Sequence, residues 1–185
     1  MPSIAAHMVV AKIIGEKLNI YNKDFIRGNI LPDVVNIDDS HHKLKGKYFL
    51  IPDTNYYKQS QDLSSLINLG YYVHLLLDKY YLEEYIPQYV NDKSIFENGR
   101  IYSEYTILNY KLVNMYDLDV LYLVDILNFN DVYVDTIKLK KNIEFLNNKT
   151  EDDLEILDLV SFSLFLENIS IRICEEIKIY ASKYS

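Results

Sequence analysis

The sequence predicts an all-α fold, a single helical domain over residues 1–185, on three observations. Apolar residues recur at helical spacing through most of the chain. The run "LGYYVHLLLDKYY", residues 69–81, reads as a buried helix interrupted by only a few polar groups. With 185 residues and 49% hydrophobic content, the chain is long enough for one well-cored domain and short for two.

The elements follow in chain order. Ser3 is placed to cap a first helix, in which Ile4, Met8, Ala11 and Leu18 share a face with His7 beside them. Gly28, Pro32, the polar run "NIDDSHHKLKGK" and Pro52 mark an irregular region over roughly residues 28–55. A long helix is expected from about Gln61 to Tyr85, ended near Pro87. Further helices are expected around 102–115, 118–128 and 135–147, with "DVYVDTI" as an alternative short strand. Thr150, followed by Glu151, Asp152 and Asp153, reads as the start of a last helix reaching about Tyr180, since a hydroxyl cap and early acids complement exposed amides.

Charge and composition narrow the function. A formal net charge of −8 argues against binding duplex nucleic acid through a broad basic face, because phosphate contacts need clustered Lys and Arg. Cys174 is the only cysteine, so no internal disulfide can form, and its flanks predict a buried, inert thiol. The N-terminal apolar run is broken by His7, Lys12, Glu16 and Lys17 and lacks a basic leader, which is unlike a signal peptide. No stretch approaches the roughly 18 apolar residues of a membrane span. The expected location is the cytoplasm.

All four histidines, His7, His41, His42 and His74, fall in the first 74 residues. The chain therefore divides into a half able to hold a metal, about 1–85, and a histidine-free helical half, about 86–185. On a helix His74 and Asp78 lie one turn apart on the same face, as does Gly70, whose missing side chain lets another backbone approach. A His nitrogen and a carboxylate oxygen both bind zinc at about 2.0–2.2 Å, so one ion could join that pair; an internal hydrogen bond is the plainer alternative. Asp33 follows a proline in an apolar setting, where a carboxylate needs a cationic neighbour: Arg27, or a metal. His41 and His42 are adjacent in a loop, so only one is expected to face inward. His7 fits either a ligand or a core histidine satisfied by a carbonyl. Lys43, Lys45 and Lys47 could meet a substrate phosphate, or be solvated.

The series His7, "LPD" ending at Asp33, "SHH" with His41 and His42, and "GYYVHLLLD" with His74 and Asp78 resembles the zinc-dependent phospholipase C family, related to single-strand-specific zinc nucleases. The resemblance covers roughly residues 1–85. It implies a helical bundle of that type, with zinc ions at the bottom of a cleft, acting on phosphodiesters. Carried over, Asp33, one of the paired histidines, His74 and Asp78 hold the main ion, with Asp33, His74 and Asp78 at the catalytic centre. His41 is the preferred member of the pair because it follows the small Ser40. His7 serves a second ion, and Asp78 is the shared carboxylate. The family's further histidines downstream of the His-x-x-x-Asp helix have no counterpart after His74, and the processed N-terminal ligand of secreted members has none at Met1. One or two ions are thus expected, zinc first and other divalent metals as alternatives.

Five ligand residues exceed the four of tetrahedral zinc, so either one ion has expanded coordination or two share a carboxylate. The second arrangement suits phosphoester hydrolysis. The expected function is a metal-dependent hydrolase acting on a small phosphoester or a phospholipid head group. The alternative is a metal-stabilised or degenerate, non-catalytic scaffold binding a protein partner through tyrosine-rich surfaces. HD-type phosphohydrolases fit less well, because their adjacent His-Asp pair is missing: Lys43 follows His42.

Overall fold

Ser3 opens the first helix as its sequence suggests, its hydroxyl accepting the Ala6 amide. A computed structural model describes residues 2–36, 40–89, 100–128, 133–150 and 152–184, and these are mostly helical. Helix α1 (Ile4–Lys17) is followed by α2 (Lys23–Val34), whose first amides are accepted by the Asn22 side chain. Strands β1 (Lys43–Lys45) and β2 (Leu50–Pro52) form an antiparallel hairpin with Leu44 opposite Ile51. Helices α3 (Thr54–Ser60) and α4 (Leu66–Tyr80) come next, and α4 runs on through a π turn (Tyr81–Tyr85) and a 3-10 turn (Ile86–Tyr89). Then follow α5 (Arg100–Met115), α6 (Val120–Leu127), α7 (Thr136–Asn147) and α8 (Leu159–Ala181). The architecture is all-α.

Buried α1 is the centre of the bundle, packing against α2, α4, α5, α7 and α8. The closest helix pair is α2 with α4, and two glycines make it possible. A Cβ on Gly70 would lie 2.1 Å from the Phe25 carbonyl oxygen, and one on Gly28 would lie 2.0 Å from that of Ile67. No side chain fits at either position, so the two backbones touch. Among the described residues, no helix is long and apolar enough to cross a membrane. Cys174 is buried, and desolvation pushes its thiol pKa up, as an inert core cysteine requires.

Several boundaries differ from the sequence expectation. Gly28 and Pro32 were expected in irregular chain but lie inside α2. Gly28 is spent on the α4 contact, and Pro32 sits in the last turn, where its missing N–H forgoes only the bond to the Gly28 carbonyl. Residues 61–65 form a turn before α4, held by Asp62, which accepts the Ser64 amide, and by the Ser65 amide donating to the Asp62 carbonyl. The hairpin and α3 were not foreseen. Near "DVYVDTI", Val134 makes an isolated bridge with Val35 and helix α7 begins at Thr136; residues 131 and 132 lie outside the described residues.

The last helix starts at Leu159 with Asp158 as its cap, eight residues beyond Thr150, the cap the sequence suggested. Thr150 instead makes a local turn, donating to the Asp152 carboxylate and accepting the Asp152 amide, while Glu151 lies outside the described residues. The amides of Glu155, Ile156 and Leu157 are drawn to the buried carboxylate of Glu104 on α5, at 2.5, 2.7 and 2.8 Å. A tertiary acceptor thus holds a loop where local capping favoured a helix.

Candidate metal centre

Four segments converge on one buried point. Helix α1 contributes His7, the last turn of α2 contributes Asp33, the loop after it contributes His41, and α4 contributes His74 and Asp78. The glycine-mediated contact of α2 with α4 brings Asp33 towards the face of α4 carrying His74. Within the cluster two groups have donor atoms all within 4.8 Å of one another: His7, His74 and Asp78, and Asp33, His41 and His74. His7, His74 and Asp78 are fully buried, whereas the side chains of His41 and Asp33 retain 7% and 14% exposure. Solvent therefore meets the cluster at Asp33 and His41.

The hydrogen bonds around the cluster orient the rings. The Nδ1 of His74 lies 2.7 Å from the Asn29 carbonyl oxygen, an acceptor only, so Nδ1 carries a proton and Nε2 points into the cluster. The Nδ1 of His41 lies 3.0 Å from the Ser40 hydroxyl, which itself donates to the Pro32 carbonyl at 2.8 Å. With its proton committed, that hydroxyl accepts from His41 Nδ1, and the Nε2 of His41 also faces inward.

The resulting triangle has the dimensions of a coordination site. His41 Nε2 and His74 Nε2 are 3.3 Å apart, and Asp78 Oδ2 lies 3.3 Å from the first and 3.4 Å from the second. Tetrahedral bonds of about 2.0–2.1 Å separate neighbouring donors by roughly 3.3–3.4 Å. Asp33 Oδ1 stands 3.7 Å from His41 Nε2 and 3.8 Å from His74 Nε2, as a fourth donor. On the other side of the carboxylate, Asp78 Oδ1 lies 3.4 Å from His7 Nε2. Among the described residues, both Asp78 oxygens and both His7 ring nitrogens are buried without a hydrogen-bond partner. Buried acceptors left unpaired are costly, and a cation among them removes that cost. These residues fit a metal ion.

Electrostatics agree. Burial disfavours a charged His41, but Asp33 and Asp78 beside it prevail and raise its pKa to about 9. Burial would raise Asp78, yet His74, His41 and His7 hold its carboxyl well below the usual range. Asp33 is lowered in the same way, chiefly by His74 and His41 against its own desolvation. His7 is lowered by burial and by neighbouring His74. A metal ion held in the cluster would compete with the His41 proton for the same lone pair.

Of the six ligand candidates read from the sequence, the structure brings together His7, Asp33, His41, His74 and Asp78. His42 is directed elsewhere: its backbone has a φ of 47°, and its ring packs against Tyr56 at 4.8 Å. Arg27, the alternative neighbour for Asp33, donates through Nε to the Ile126 carbonyl. Lys47 lies over the Tyr48 ring. Sequence reasoning missed Asn29 and Ser40 as orienting residues. Asn29 orients His74 through its backbone carbonyl, which no side-chain pattern reveals, and Ser40 had been read only as small. No family model, curated protein or solved structure matches the chain.

Proposed function

We propose that this protein is a metal-dependent hydrolase of the phospholipase C type, acting on a phosphoester, with zinc as the expected metal. The observation that carries the reading is the Asp78 carboxylate: Oδ2 faces His41 and His74, Oδ1 faces His7, and neither oxygen has a hydrogen-bond partner among the described residues. Asp33, His41, His74 and Asp78 would hold one ion, and His7 with Asp78 Oδ1 could serve a second. Metal bound there would supply a Lewis acid for a phosphoryl oxygen and lower the pKa of a coordinated water. The protein's own part is positional. His74 and His41 present their Nε2 atoms, Asp78 supplies the charge between them, and the partly exposed Asp33 and His41 leave the face a substrate must approach.

A second reading, a metal-stabilised scaffold that binds a protein partner, draws support from the complete burial of His7, His74 and Asp78. Metal analysis of the purified protein, followed by a panel of phosphomonoesters, phosphodiesters and phospholipid head-group esters, separates the two. The hydrolase reading expects turnover that is abolished by chelation, restored by zinc and lost in His74→Ala and Asp78→Asn. The scaffold reading expects a chelator-dependent fall in melting temperature with no substrate turned over. Protein that neither contains nor takes up metal refutes both.

A further inference from the structure

We infer that Ser40 is a positioning residue for the metal centre, setting the affinity of donors it does not replace; the inference rests on the metal-binding reading above. Three contacts meet on this one residue. Its hydroxyl donates to the Pro32 carbonyl, immediately before Asp33. The same hydroxyl faces Nδ1 of His41, the next residue in the chain. Its own carbonyl accepts the hydroxyl of Tyr71, one helical turn before His74 on α4. Ser40 therefore ties together the segments that carry Asp33, His41 and His74, one of the two donor groups of the cluster.

The hydroxyl is suited to this because it can donate and accept at once. Donation to Pro32 leaves a lone pair for the Nδ1 proton of His41, and that proton leaves Nε2 free to face the metal. Alanine at this position would release the ring to rotate and to place its proton on either nitrogen. Tyr71 is itself stacked on Tyr57, with ring centroids 4.6 Å apart and planes within 9°, so the far end of the tie is braced. Partners that orient a ligand histidine typically account for 10- to 100-fold in metal affinity.

The test compares full-length wild type, Ser40→Ala and Ser40→Thr by Zn²⁺ competition against a chromophoric chelator, with Co²⁺ absorption spectra and melting in excess chelator. Ser40→Ala is expected to bind Zn²⁺ about 10- to 100-fold more weakly, with an altered Co²⁺ spectrum and a melting temperature in chelator close to wild type. Ser40→Thr, which keeps the hydroxyl, is expected to restore affinity. Equal affinity of wild type and Ser40→Ala overturns the inference alone. A loss that threonine does not rescue, accompanied by lower stability in chelator, also overturns it, as a purely structural effect. Wild type that takes up no Zn²⁺ defeats the metal centre itself and this inference with it. Should the alanine variant fail to fold, the zinc-loaded wild type decides: an NMR resonance for a protected His41 Nδ1–H is expected, and its absence overturns the inference.

Discussion

The imidazole rings of His7 and His74, from α1 and α4, stack with centroids 3.8 Å apart and planes within 6° of parallel. Such contact disfavours a charge on both rings, and the lowered pKa of His7 reflects both its burial and His74. Stacking places His7 in one donor group with His74 and Asp78, on the other oxygen of the carboxylate: its Nε2 approaches Asp78 Oδ1, whereas His41 and His74 approach Oδ2. His7→Ala is accordingly expected to retain at least one ion per chain by elemental analysis while phosphoester turnover falls. His74→Ala should lose the ion itself.

The stability contributed by the metal-free cluster is expected to be greatest near pH 6.5. His41 has a folded pKa of about 9, above its ordinary 6.5, so its contribution is complete below pH 6.5 and is lost as pH rises towards 9. That span corresponds to on the order of 3 kcal/mol. His7 has the opposite sign: its folded pKa lies below 6.5, so its contribution is present above pH 6.5 and is lost as pH falls. Bound metal replaces the His41 proton, so zinc should abolish the alkaline fall. Melting curves from pH 5 to 9, with chelator and with zinc, measure both limbs.

Gly70→Ala is expected to destabilise the fold by about 3 kcal/mol, the upper end of overpacking costs, because the new methyl would meet backbone rather than a side chain that can rotate away. Its Cβ would lie 2.1 Å from the Phe25 oxygen and 2.8 Å from the Asn29 nitrogen. Since Asn29 orients His74, the same substitution should also weaken zinc binding. Urea unfolding in chelator and zinc titration read the two effects separately.

Glu104→Gln should cost about 2 kcal/mol or more. The carboxylate accepts three amides, from Glu155, Ile156 and Leu157, and a carboxamide replaces one acceptor oxygen with a donor. The expected signature in amide hydrogen exchange is loss of protection at those three residues, with the metal centre unchanged.

Helical spacing alone makes His74 and Asp78 neighbours, and absence of a side chain at Gly70 already signals a close backbone approach; both follow from rules acting within one turn. Ser3 as a cap and the burial of Cys174 belong to the same class, since local hydrogen bonding and apolar periodicity decide them. What spacing cannot say is which face meets which. His7 reaches Asp78 only because α1 packs on α4. His41 rather than His42 joins the cluster because Ser40 turns one ring inward while a left-handed backbone sends the other to Tyr56. Tertiary contacts also overrode local preference: Gly28 and Pro32 read as breakers until α4 gave α2 a surface to pack on, and Thr150 read as a cap until Glu104 took the amides that follow it. Local chemistry specified the donors, and long-range packing selected which of them converge, because a buried lone pair is set by partners arriving from other parts of the chain.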